Sequence, residues 1–153
     1  WVEHSVPNVH SNCLGATLSV DGSEVSAIVR FAHQHVYYVR RNAATGRKIH
    51  ETSYSVEQLK PYIDNAVTGA NGLLPVPGGE CYLFGNSLLV DRLSGMPVYP
   101  IENPNYLLSR PIRVMSHDMA VGISGDIRHR LHTVTLSAAE IEAGLEKVRP
   151  SRR

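Results

Sequence analysis

The chain has 153 residues, 42% of them hydrophobic, with 15 basic and 14 acidic residues and a formal charge of +1. That length allows one domain, or two small subdomains sharing a cleft. The balanced charge gives no general attraction to nucleic acid or to an anionic membrane surface. No apolar run is long enough to span a bilayer, and no signal peptide is read at the start. Trp1 in place of an initiator Met, and the closing "RPSRR", suggest a domain taken from a longer chain. Two cysteines, Cys13 and Cys81, are few for a secreted disulfide scaffold, so both are read as free thiols in a reducing, cytoplasmic setting, with one mutual bridge as the alternative.

In chain order, short strand-like segments separated by turn signals dominate, and no internal repeat or low-complexity run stands out. "CLGATLSV" is followed by the hairpin signal "DGS" and then by "EVSAIVRFAHQHVYYV". In that run Val25, Ala27, Val29 and Phe31 share one face of a strand, read as its buried face, and the parity carries on through His33 and His35. "NAATGRK" reads as a turn and "IHETSYSV" as a further strand. Ser55 could cap a short helical turn with Gln58, which Pro61 would end. The stretch 68–80, "TGANGLLPVPGGE", holds four glycines and two prolines and reads as a linker between residues 1–67 and 81–153. Beyond it "CYLFGNSLLVDRL", "MPVYPI", "PIRVMS", "MAVGIS" and "RLHTVTL" are strand-like. The last element is a helix, opened by the capping box Ser137–Glu140 and carrying Ile141, Leu145 and Val148 at helical spacing.

Three residues form a candidate constellation. His33 sits where a strand face runs out into polar sequence, Asp64 lies between apolar neighbours in "YIDNAV", and Ser94 precedes a glycine in "DRLSGMPVYP". Singly, each also reads as a half-buried histidine, a capping aspartate or a turn serine. Together they offer what acyl transfer requires: a hydroxyl, an imidazole to take its proton, and a carboxylate to orient the imidazole. Gly95 would allow a tight turn whose N–H groups face a developing oxyanion.

At these segments the chain resembles the chymotrypsin-like serine proteases, and most of all the processing proteases of positive-strand RNA viruses. "CLGATLSVDGSEVSAIVRFAHQH" is similar to the family's "C-G-G-x-L … V-L-T-A-A-H", "YIDNAV" to "D-x-A-L", "LSGMPVY" to "G-D-S-G-G-P-V", and "MAVGISGD" to "V-x-G-I-x-S-x-G". The resemblance implies a mostly β, two-barrel fold with a compact second barrel and a C-terminal helix. It implies a peptide hydrolase with His33 as base, Asp64 as orienting acid and Ser94 as nucleophile. Oxyanion and substrate contacts would come from Arg92, Leu93, Gly95, Gly122 and Ser124. Arg92 stands where the family usually has the glycine that supplies an oxyanion N–H, and Ser124 stands where many viral members have a pocket histidine. The implied substrate is a polypeptide, a junction in the chain's own polyprotein, cleaved without a cofactor.

Other readings use the same residues differently. A protease-like domain with an altered oxyanion turn could act by binding, or as a nuclease of the poxin type, although Lys48, Lys60 and Lys147 are its only lysines. "GGECYLFG" resembles the "G-x-C-Y" motif of papain-like leader proteases, with Cys81 as nucleophile and His129 or His132 as base; that reading needs a helix opening at Cys81. His33 and His35 on one strand face, with His10, His50 or His117, could ligate a metal, but no acidic or cysteine ligand lies at a diagnostic spacing.

Overall fold

The computed structural model describes residues 11–31, 35–55, 72–85, 88–101, 113–116, 119–123 and 131–149. It is mostly β with one C-terminal helix. Strands β1 (Ser11–Leu18), β2 (Glu24–Phe31), β3 (His35–Asn42) and β4 (Lys48–Ser55) form one antiparallel meander in sequence order. Strands β5 (Leu73–Pro75), β6 (Cys81–Phe84), β7 (Leu88–Asp91) and β8 (Pro97–Pro100) form a second. A three-stranded sheet in the order β11-β10-β9 follows, from β9 (Arg113–Ser116), β10 (Met119–Ile123) and β11 (Leu131–Thr135). The helix α1 spans Ala138–Val148, with the Ser137 hydroxyl accepting from the Glu140 amide at 3.3 Å, as the capping box predicts.

Period-two alternation explains the layering. On β3, Val36 and Tyr38 are fully buried and Arg40 nearly so, while His35, Tyr37, Val39 and Arg41 face the other way. Strands β6 and β7 are buried on both faces. Tyr82, Phe84, Leu88 and Val90 join Leu73 and the inner face of the first sheet, Ile28, Val36, Tyr38 and Tyr54, in one core. Cys81, Leu83 and Leu89 join Val76, Ile101, Leu136 and the helix residue Ile141 in a second. The sheet β5–β8 is therefore a middle layer, between the first sheet and α1. At one edge the layers touch backbone to backbone: a Cβ on Gly15 would lie 2.4 Å from the carbonyl carbon of Gly72. No closed barrel is present among the described residues.

Three readings of the sequence change. "EVSAIVRFAHQHVYYV" is a hairpin: β2 ends at Phe31 and β3 starts at His35, and those two residues pair directly. His35 therefore does not continue the face of β2 but opens the returning strand. The core face of β2 is the opposite of the one expected, because Ser26 and Ile28 are wholly buried while Val25, Ala27 and Val29 are half-buried. Burial of Ser26 is tolerated because the hydroxyls of Tyr38 and Tyr82 lie 3.2 and 3.5 Å from its Oγ. Of the stretch read as a linker, residues 73–75 are β5, and Val76 to Gly79 make the tight turn into β6.

A repeat exists at the level of turns. The β1–β2 and β5–β6 hairpins close through Gly22 N to Ser19 O and Gly79 N to Val76 O, both 2.9 Å, with the glycines at φ 71° and 70°. The β3–β4 and β7–β8 hairpins share the pattern Asn/Asp-x-x-Thr/Ser-Gly, at Asn42–Gly46 and Asp91–Gly95. In both, the first residue's carbonyl accepts from the glycine amide, and its side-chain oxygen accepts from the amide and hydroxyl of the Thr or Ser.

Candidate functional site: the turn Asp91–Gly95

The "DRLSG" stretch is the β7–β8 turn. Asp91 ends the buried strand β7 and has no exposed surface. Its Oδ2 accepts from the Ser94 amide at 2.8 Å and the Ser94 hydroxyl at 2.6 Å. Its Oδ1 pairs with Nη2 of Arg149, just beyond α1. Burial opposes ionisation of Asp91, but the hydrogen bonds from Arg149 and from Ser94 outweigh it and hold the carboxyl below its ordinary pKa. Ser94 Oγ in turn accepts from the Met96 amide at 3.2 Å.

The amides of this turn face inward as well. Arg92 N donates to Glu80 O at 2.9 Å, and Gly95 N to Asp91 O at 2.7 Å. The carbonyls of Arg92, Leu93, Ser94 and Gly95 are capped from the first sheet, one side chain each. Tyr38 donates to Arg92 O at 2.5 Å, Arg40 Nη1 to Leu93 O at 2.9 Å, and Thr52 to Ser94 O at 2.8 Å; the Tyr54 hydroxyl donates to Gly95 O. Arg40 is held in place by a bidentate pair with Glu24, Nε to Oε2 at 3.1 Å and Nη2 to Oε1 at 2.8 Å, and the Arg92 side chain reaches the same carboxylate at 3.5 Å. Desolvation raises the pKa of both Tyr38 and Tyr54, so each stays a neutral donor across the physiological range. At Gly95 (φ 74°) a Cβ would fall 2.2 Å from the Tyr38 ring, so the turn lies flat against the first sheet.

No family model, curated protein or solved structure matches the chain.

Of the residues expected to act together, Ser94, Arg92, Leu93 and Gly95 meet in this turn, whereas His33, Asp64 and Ser124 lie outside the described residues. Gly122 lies in β10, paired with His132 of β11. Cys81 opens a strand, not a helix, and its thiol is buried; desolvation and the nearby Asp91 carboxylate push its pKa up to about 12. Cys13 is exposed, and neither thiol is in a disulfide. His129, His10 and His117 lie outside the described residues; His35 is exposed on β3. His50 Nε2 is 2.6 Å from Thr52 Oγ1, and because Thr52 donates to Ser94 O, the imidazole nitrogen is the donor there. Among the described residues no three His, Cys, Asp or Glu side chains converge as metal ligands, and no helix is long and apolar enough to cross a membrane.

The sequence reading missed the clamp residues Tyr38, Arg40, Thr52 and Tyr54. The available signal was the Asn/Asp-x-x-Thr/Ser-Gly pattern, which marks both hairpin turns, together with polar groups on the buried parity of β3 and β4.

Proposed function

We propose that this chain acts by binding a polypeptide, with the Asp91–Gly95 turn as the joint that fixes its two stacked sheets. One observation carries this reading: the amides of Arg92, Ser94 and Gly95 and the hydroxyl of Ser94 already have partners within the protein. An oxyanion hole needs N–H groups free to meet the substrate. A serine nucleophile needs a base that will accept its proton. Ser94 donates instead to Asp91, whose lowered pKa makes it a weak base. The surface this reading assigns to the partner is the outer face of β1–β4. There Val25, Ala27, Val29, Tyr37 and Val39 are half-buried and Leu18 is 55% exposed, an apolar strip across β1–β3 bordered by Arg41 of β3 and by Glu51 and Ser53 of β4.

The acyl-transfer alternative places His33, Asp64 and Ser94 in a cleft between two barrels, in a viral polyprotein. It requires the turn to release its amides before reaction. An immobilised peptide library separates the two. The binding reading expects the protein to be retained without cutting peptides, Val29→Asp to reduce retention, and a fluorophosphonate probe to leave Ser94 unlabelled. Labelling lost in Ser94→Ala, or cleavage lost in His33→Ala, would overturn it.

A further inference from the structure

On the far side of the middle sheet, away from the Asp91–Gly95 clamp, a cavity of about 350 Å³ opens between the β5–β6 hairpin and α1. Its floor is apolar and closed: Cys81, Leu89 and Ile141 are buried, and Val76 and Leu145 complete it. Two carboxylates line it at the solvent side, Glu80, whose side chain is 44% exposed, and Glu142, which is exposed on α1. Among the described residues, none that lines it carries a positive charge. Arg149 Nη1 pairs with Glu80 Oε1 at 3.5 Å, while its Nη2 serves both Asp91 and the Glu80 carbonyl, so Glu142 is the carboxylate of the mouth with no ion pair of its own among the described residues. The positive end of α1 is turned to the same space through Ala138. That end is partly answered, because the Ser137 hydroxyl takes the Glu140 amide and Glu140 adds a carboxylate in the first turn. The volume lies at the lower end of pockets that hold small organic molecules, roughly 300–1,000 Å³.

We infer that this cavity binds a small amphiphilic amine, its apolar tail against Leu89, Ile141 and Leu145 and its ammonium at the mouth beside Glu142 and Glu80. Entry tail first leaves the charge where solvent and carboxylates both reach it, whereas a cation on the floor would face unrelieved desolvation. An anion of the same shape would lie beside the Glu142 carboxylate, a like charge. The inference is independent of the binding surface assigned above, since the cavity and the outer face of the first sheet lie on opposite sides of the middle layer.

The test uses the full chain and three six-carbon probes: hexylamine, hexanol and hexanoate. A ligand that binds the folded state alone raises the melting temperature in a saturable way. Hexylamine should do so, hexanol should do so more weakly, and hexanoate should not. Glu142→Gln removes a solvent-exposed charge from α1 and should weaken hexylamine binding about five- to tenfold, the loss of one charge-assisted contact. The same change should leave hexanol unaffected. Leu145→Trp should fill the space and abolish both effects. Equal shifts with hexylamine and hexanoate, hexylamine binding unchanged in Glu142→Gln, or no saturable shift with any probe would overturn the inference.

Discussion

Asp91 shows how one buried charge is kept. Its carboxylate is removed from water, and only the Ser94 donors and the Arg149 guanidinium balance that loss. Asp91→Ala leaves Arg149, whose side chain is 8% exposed, without its buried carboxylate and with only Glu80 at the edge, and should cost about 3–5 kcal/mol by urea unfolding. Ser94→Ala removes one hydroxyl from the same network and should cost only about 1–2 kcal/mol. The pH dependence follows from the depressed pKa. The contribution of Asp91 is complete above its ordinary value of 3.8 and is lost as pH falls through the lower value of the folded state. The wild type should therefore lose stability more steeply below pH 3.8 than Asp91→Ala does. Equal acid slopes would show that another carboxylate governs this range.

At the scale of elements, the two Asn/Asp-x-x-Thr/Ser-Gly turns offer a comparison within one molecule. Gly46 and Gly95 have nearly the same φ, 69° and 74°, but a Cβ on Gly46 meets nothing within 4 Å while one on Gly95 meets the Tyr38 ring. Gly46→Ala should cost about 1 kcal/mol for the left-handed backbone alone. Gly95→Ala adds displacement of a fully buried ring and should cost at least about 2 kcal/mol more. Similar costs for the two would mean that the turn gives way without disturbing the first sheet. The β1–β2 and β3–β4 hairpins were legible in the sequence because turn chemistry is local: "DGS" and "NAATGRK" mark their turns, as the Ser137 cap marks the helix start, whereas the β2–β3 and β5–β6 hairpins were read as a continuous strand and a linker. The core face of β2 was not, because three apolar residues, Val25, Ala27 and Val29, share the outward parity. The inward parity holds Ser26, whose partners Tyr38 and Tyr82 come from other strands. The clamp was illegible for the same reason. Each of its bonds joins residues 41 to 54 positions apart, and no local pattern records such a pairing.

At the scale of the whole molecule, the mostly β character and the terminal helix follow from composition and periodicity, while the stacking order does not. "CYLF" and "LLVD" are short runs apolar at nearly every position, which suits a strand covered on both faces but does not say by what. The layering makes a prediction about the two thiols. Cys13 is exposed and should react with Ellman's reagent in the native protein. Cys81, buried and with its pKa pushed up to about 12, should react only after unfolding. One thiol counted in the native state and two in denaturant would agree; two in the native state would show that the second core opens readily.

Strands β6 and β7 belong to both cores, so neither core can open without exposing one of their faces. Hydrogen exchange should reflect this. Amides of Tyr82–Phe84 and Leu88–Val90 should exchange only through complete unfolding, and their protection should track the global stability measured by urea. Amides of the exposed Asn42–Gly46 turn should exchange through local fraying, indifferent to denaturant. The middle sheet would then be the last part of the protein to become accessible to proteases and the first to regain protection on refolding. Should β6 and β7 exchange as fast as β4, the two cores would be separate cooperative units.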